Sequence, residues 1–99
     1  MADIDKSSLS RFVTGQGIAP TDVPAPIVAD GYQIPALRGV RVLSDKTNTD
    51  NGIQIGRAGF TDDAFLLYPG QYIDIPVDNV NLVNVLAVDE DQKYYYIYL

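Results

Sequence analysis

Several sets of residues in this chain have the types that chemistry needs, and their spacing decides what each could do. Asp45, Asn48, Asp50 and Asn51 crowd oxygen donors into one polar loop, and a hard cation such as calcium takes several oxygen ligands from a tight turn. A helix-loop-helix calcium site needs acids at alternating positions, then a glycine, then a distal glutamate, and no frame here supplies all of these. The set reads as a solvated hairpin loop. Asp74 and Asp78 stand four apart, so they point to one side if a strand runs through both, as the paired carboxylates of a glycosidase would. With one glutamate in the whole sequence and 99 residues to build a cleft from, that pairing carries little weight. Ser7, Ser8, Ser10 and Ser44 have no histidine to activate them, because the chain contains none. Gly52, Gly56 and Gly59 lack the Lys-Ser/Thr that follows in a phosphate loop. Tyr94, Tyr95, Tyr96 and Tyr98 crowd the last segment, where rings can pack in a core, fill a protein interface or stack on a sugar. No catalytic constellation emerges, and the expectation is a protein that is not an enzyme and holds no cofactor or metal. Zinc in particular wants imidazole or thiolate, and both histidine and cysteine are absent.

The elements that would position these residues are mostly strands. Tyr72 to Val77 alternates apolar Ile73, Ile75 and Val77 with Tyr72, Asp74 and Pro76, the pattern of a half-buried strand with one wet face. Pro76 cannot donate to a ladder, so that strand lies at an edge or ends there. The Pro69-Gly70 turn before it, preceded by Phe65 to Tyr68, predicts a β-hairpin. Leu82 to Val88 is apolar except for Asn84, as in a central strand buried on both faces. Asp89 to Gln92 is an acidic turn, and Lys93 to Leu99 is a last strand, expected to be paired on both edges or covered by a neighbour because its composition would otherwise favour aggregation. Upstream, Ala36 to Leu43 and the run from Ile53 to Ile55 read as strands, with Ser44 to Gly52 and Gly56 to Ala64 as loops. Counting Ile27 to Ile34, six or seven short strands recur at intervals of about ten residues. The predicted fold class is all-β: a small β-sandwich, jelly-roll or Ig-like, or a barrel.

The first part of the chain follows a different grammar. Residues 1–35 hold Pro20, Pro24, Pro26 and Pro35 with Gly15, Gly17 and Gly31, a density that breaks helices and central strands. They are expected to form an extended N-terminal arm, with residues 36–99 as the body. Within the arm, Leu9, Phe12 and Val13 fall at spacings of three and four, so one or two helical turns from Asp5 to Val13 could present an apolar stripe to a partner. The residues expected to bind a partner are Leu9, Phe12, Val13, Val23, Pro24, Pro26 and Ile27 of the arm, together with Tyr95.

Composition limits the partners. The net charge of −6, with Lys and Arg scattered singly, argues against nucleic acid, which needs clustered cations to displace counterions. Asp3 and Asp5 interrupt the start of the chain and no apolar run approaches about eighteen residues, which argues against a signal peptide and a membrane helix. A chain of 99 residues buries roughly 60 to 65 % of the surface its unfolded form exposes. With no disulfide available, oligomerisation is the common remedy for so thin a core, and a homo-oligomer, dimer or trimer, is expected.

Three pieces of the sequence carry a family likeness: Gly39-Val40-Arg41-Val42, then Gly52-Ile53-Gln54-Ile55-Gly56, then Leu67-Tyr68-Pro69-Gly70-Gln71-Tyr72-Ile73-Asp74-Ile75 with Val83-Asn84-Val85-Leu86-Ala87. In this order, over about half of the chain, they resemble small tailed-phage virion proteins of the capsid decoration, cement or head-fibre-base kind. The resemblance implies a structural role without catalysis. It implies a β-sandwich on the virion surface, assembled in the host cytoplasm, whose partner is the major capsid protein or another virion protein. A carbohydrate- or receptor-binding module, using exposed tyrosines and loop aspartates, is the alternative from another class. A connector or tail component of a virion is a further one.

Overall fold

Strand formation follows the two-residue period of the sequence. The computed structural model of the chain describes residues 13–28, 34–36, 38–61 and 63–98. It has eight strands among them: β1 (Val13–Ile18), β2 (Ala25–Pro26), β3 (Val40–Ser44), β4 (Ile53–Gly56), β5 (Phe65–Leu67), β6 (Tyr72–Ile75), β7 (Asn84–Leu86) and β8 (Lys93–Tyr98), with one turn of 3-10 helix at Val80–Leu82. Val40, Val42 and Ser44 of β3 are buried while Arg41 is exposed, and Ile53 and Ile55 of β4 are buried while Gln54 is less so. In both, the buried residues alternate along the strand and so face one side.

Two antiparallel four-stranded sheets result, in the orders β1-β8-β3-β6 and β2-β7-β4-β5. The pairing has a simple rule. Each strand of the first half lies beside its mirror image in the second: β1 with β8, β2 with β7, β3 with β6 and β4 with β5. Ladders between β3 and β8 and between β4 and β7 complete the sheets. An antiparallel ribbon rolled on itself in this way is a jelly roll. The protein is therefore the expected small all-β sandwich, and the strand order selects the jelly roll over the Ig-like and barrel forms.

The rule also explains where the sequence reading went astray. Pro69-Gly70 does not join a hairpin: β5 belongs to one sheet and β6 to the other. The turn is real, with Gln71 N–H bonded to the Tyr68 carbonyl (3.0 Å) and Gly70 at φ +83°. It is a corner at which the ribbon crosses between sheets, and its backbone is held against Ser44 (Gly70 N–H to Ser44 carbonyl, 2.9 Å). The β4–β5 pair forms the true hairpin, and Phe60, 2 % exposed, anchors the loop between them. The strand expected over Ile27 to Ile34 is also absent from its described part: Ile27 and Val28 lie in bends after the two residues of β2. Around Asn84 the central strand is as expected, with Val83, Asn84, Val85 and Ala87 buried, but Leu82 and Val88 at its ends are exposed. β6 lies at a sheet edge and stops before Pro76. β8 is paired on both edges, as its composition demanded.

The segment 1–35, expected to stay outside the body, contributes β1 and β2 to the sheets over its described residues. Glycines that would weaken an isolated strand are accommodated here by their neighbours. Gly15 and Gly17 stand opposite Tyr96 and Tyr94, and those two rings lie across them where a Cβ would sit. The helical turns expected over Asp5 to Val13 lie outside the described residues except for Val13, which begins β1.

The core between the sheets gathers Val40, Val42, Ile53, Ile55, Leu67, Val80, Val83, Val85 and Tyr94, with Ile27 and Ala36. Burying one Val or Ile fully stabilises the fold by on the order of 1.5–3 kcal/mol. Inside it the Tyr94 hydroxyl donates to the Ile27 carbonyl (2.6 Å), tying the last strand to the end of β2. Tyr96 and Tyr98 stack at 6.2 Å on the same side of β8, so one set of tyrosines is core.

Candidate functional site

The polar loop that resembled a cation site is a structural tie. Asn48 behaves like a piece of backbone: its Nδ2 donates to the Lys93 carbonyl (2.8 Å) and Ser44 Oγ (3.0 Å), and its Oδ1 accepts from Lys93 N–H (2.8 Å). Thr49 N–H donates to Oε1 of the buried Gln92 (2.8 Å), whose Nε2 donates to the Glu90 carbonyl. Thr49 Oγ1 and Asn51 Nδ2 both donate to Asp89, holding its carboxyl below the usual aspartate range. Asp45 is held low chiefly by the Thr47 backbone N–H, with help from the Tyr95 hydroxyl. Asn48, Thr49, Asn51 and Asp89 thus join loop 45–52 to loop 87–92 and the start of β8, while Asp45 closes a turn within its own loop. Among the described residues no group of three or more His, Cys, Asp or Glu side chains could hold a metal ion.

The imagined carboxylate pair is not assembled either. Asp74 forms a two-point bridge to Arg41 across β6 and β3 (2.6 and 2.9 Å), and the hydrogen bonds from Arg41 lower its pKa. Asp78 lies past the end of β6, where its backbone carbonyl accepts from Ala36 N–H (2.9 Å).

What the fold presents instead is surface. The outer face of the β1-β8-β3-β6 sheet carries two cross-strand rows. One runs Thr14, Ile97, Arg41, Asp74 and the next Gln16, Tyr95, Leu43, Tyr72. The Arg41 guanidinium sits 4.3 Å from the centre of the Tyr72 ring, a cation–π contact that fixes both. Tyr95 and Tyr72 are 36 % and 56 % exposed. On the open side of the sandwich, where the ends of β5 and β6 diverge, an apolar groove of about 830 Å³ runs between the sheets past Ile55, Phe65, Ile75, Val77 and Leu82. Phe65 and Leu82 are 67 % and 51 % exposed there, and Arg57 pairs with Asp63 near its rim (3.1 Å).

Of the residues expected to bind a partner, Leu9 and Phe12 lie outside the described residues. Val13 is exposed at the start of β1 and Val23 is exposed in the loop after it. Pro24 is half-buried and Pro26 is exposed within β2. Ile27 is a core residue, enclosed with Tyr94, and is not available to a partner. Tyr95 faces outward from β8, one strand away from β1. Val13 and Tyr95 stand on neighbouring strands but on opposite faces, since Val13 lies across from Tyr98 on the core side, and Ile27 lies apart from both. The groove at Phe65 and Leu82 was missed by the sequence reading. Its only local signal was that Phe65-Leu66-Leu67 and Leu82 place large apolar side chains beside turns.

No helix among the described residues is long and apolar enough to cross a membrane. No protein-family model matches the chain, and no curated protein and no solved structure matches it either.

Proposed function

We propose that this chain is a structural virion protein that decorates or cements a phage capsid through subunit-bridging contacts, without catalysis. Its partners in this reading are the major capsid protein or other virion proteins, and its place is the virion, after assembly in the host cytoplasm. The observation that carries the proposal is the succession of exposed apolar side chains where the chain enters the body. Val13, Ile18 and Val23 are 41 %, 59 % and 61 % exposed, and they continue in sequence from Leu9 and Phe12. A single exposed apolar residue needs no explanation, but three of them close together in sequence where the chain enters the body suit a segment that another protein covers. Jelly rolls occur in viral capsid and lectin domains alike, so the architecture supports this reading without identifying the function.

The test is removal of residues 1–12, which keeps every described strand, followed by measurement of binding to capsids from the native source. Loss of binding with the melting transition unchanged is the expected result; retained binding contradicts the role given to the N-terminal residues. A cut at residue 30 would not serve, because it takes away β1, β2 and the core residue Ile27.

A carbohydrate- or receptor-binding module is the second reading, favoured by Tyr72 and Tyr95 standing exposed in one row. It predicts tyrosine fluorescence changes on a glycan panel that vanish in Tyr95→Ala.

A further inference from the structure

A sheet edge invites another strand unless the sequence blunts it, and the four edges of this sandwich are treated unequally. β2 is two residues long and includes Pro26. β5 is three residues long. β6 is four residues long, carries Asp74 and stops at Pro76. β1 is six residues, Val-Thr-Gly-Gln-Gly-Ile, with neither proline nor charge. Among the described residues nothing pairs with its outer side.

We propose that β1 is a self-association edge, at which a second copy of this chain adds its own β1 antiparallel and extends the two sheets into one of eight strands. The backbone fixes the register. Ala19 N–H donates to the Gln92 carbonyl (2.8 Å), so in the β1–β8 ladder the odd-numbered residues face β8 and the backbone groups of Thr14, Gln16 and Ile18 face away from it. A two-fold axis normal to the sheet through Gln16 sets Gln16 of one copy opposite Gln16 of the other and Thr14 opposite Ile18. That arrangement pairs every outward N–H and C=O group of Thr14, Gln16 and Ile18 in both copies. It also keeps the inner faces of both sheets on the same side, as the sandwich requires. The chain carries a net charge of −6, and like charges would oppose association at most surfaces; β1 brings none to the axis. Exposed Ile18 packs against Thr14 of the other copy and gives up part of its contact with water.

This inference rests on the homo-oligomer expected from the sequence and gives it a surface. The experiment uses the full chain, which has no cysteine of its own. In the register above, the two Gln16 Cα atoms stand about 5.5 Å apart, inside the range of about 4.4–6.8 Å that a disulfide spans. Gln16→Cys should give a covalent dimer under mild oxidation, whereas Tyr72→Cys, on the opposite edge of the same sheet, should not. Gln16→Lys sets like charges together at the axis and should raise the dimer dissociation constant at least tenfold by light scattering, with circular dichroism unchanged because Gln16 is exposed. If the unmodified chain is a monomer at every concentration up to about 100 µM, this inference and the expected homo-oligomer both fall, while the proposed capsid role stands or falls on its own test. An oligomer that resists Gln16→Lys and does not cross-link through Gln16→Cys overturns only the assignment to β1.

Discussion

The two ends of the sandwich are built from different materials. At one end, loop 45–52 is bound to loop 87–92 and the start of β8 by Asn48, Thr49, Asn51, Asp89 and the buried Gln92, and the 68–71 turn is held beside them by backbone bonds to Ser44. At the other, the sheets part around the groove at Phe65 and Leu82, and large apolar side chains stand in water. A small jelly roll must close its corners somewhere, and here the polar end does so while the apolar end is left available. The difference suggests that stability is concentrated at the first end and association at the second and along β1.

Breaking the polar end at its tightest point should have the largest effect. Gly52 has φ +60°, and a Cβ there would collide with the Leu67 carbonyl just beside the Ile53–Leu67 ladder pair. Gly52→Ala combines left-handed strain with a backbone clash that cannot relax, and should cost about 3 kcal/mol or prevent folding. Gly70, at φ +83°, has open space around its Cβ position, so Gly70→Ala should cost only about 1 kcal/mol. Equal urea midpoints for the two variants would show that the close approach at Gly52 is not what holds the corner.

Next in size is the tie through the core. Tyr94→Phe leaves the buried Ile27 carbonyl without its donor and should cost about 1–3 kcal/mol in urea denaturation. Burial, with a smaller contribution from Tyr96, pushes the Tyr94 pKa up to about 12. The raised value favours the protonated hydroxyl, so its contribution is fully present below pH 10 and is lost as pH rises from there through about 12. The native chain should therefore lose stability over that alkaline window, and Tyr94→Phe should show a smaller loss.

Asn48→Ala removes three hydrogen bonds that tie loop 45–52 to Ser44 and Lys93, and should cost about 1–2 kcal/mol in the same assay. Acid should weaken this end as well. Asp45 and Asp89 are held below the usual aspartate range, so their contribution is present above that range and lost as pH falls beneath it. At the apolar end, Phe65→Ser and Leu82→Ser should each change stability by less than about 0.5 kcal/mol, since both side chains are more than half exposed. A loss near that of Asn48→Ala would erase the contrast between the ends.

Much of this arrangement could be read from the residues, and what could not is non-local. The alternation around Ile73 and Ile75 marked a strand with one wet face, and Pro76 marked its edge, because both are properties of a strand by itself. Pro69-Gly70 announced a turn correctly but not which sheets it joins, since that is decided by the pairing of β3 with β6 and of β4 with β5. Gly15 and Gly17 looked like breakers because the rings that cover them, Tyr96 and Tyr94, lie about eighty residues further along the chain. Ile27 looked available to a partner for the same reason: Tyr94, which encloses it, is remote in sequence. The oxygen-rich loop from Asp45 to Asn51 was legible as polar, while its use as a tie to Gln92 and Asp89 depended on a second loop brought beside it by the fold.

The measurement that bears most directly on the proposed role is sedimentation of material from the native source through a density gradient, probed for this chain. Co-migration with intact capsids, lost when residues 1–12 are removed, is the result the account predicts. Recovery only as a small species at the top of the gradient, with capsids free of the chain, would contradict it.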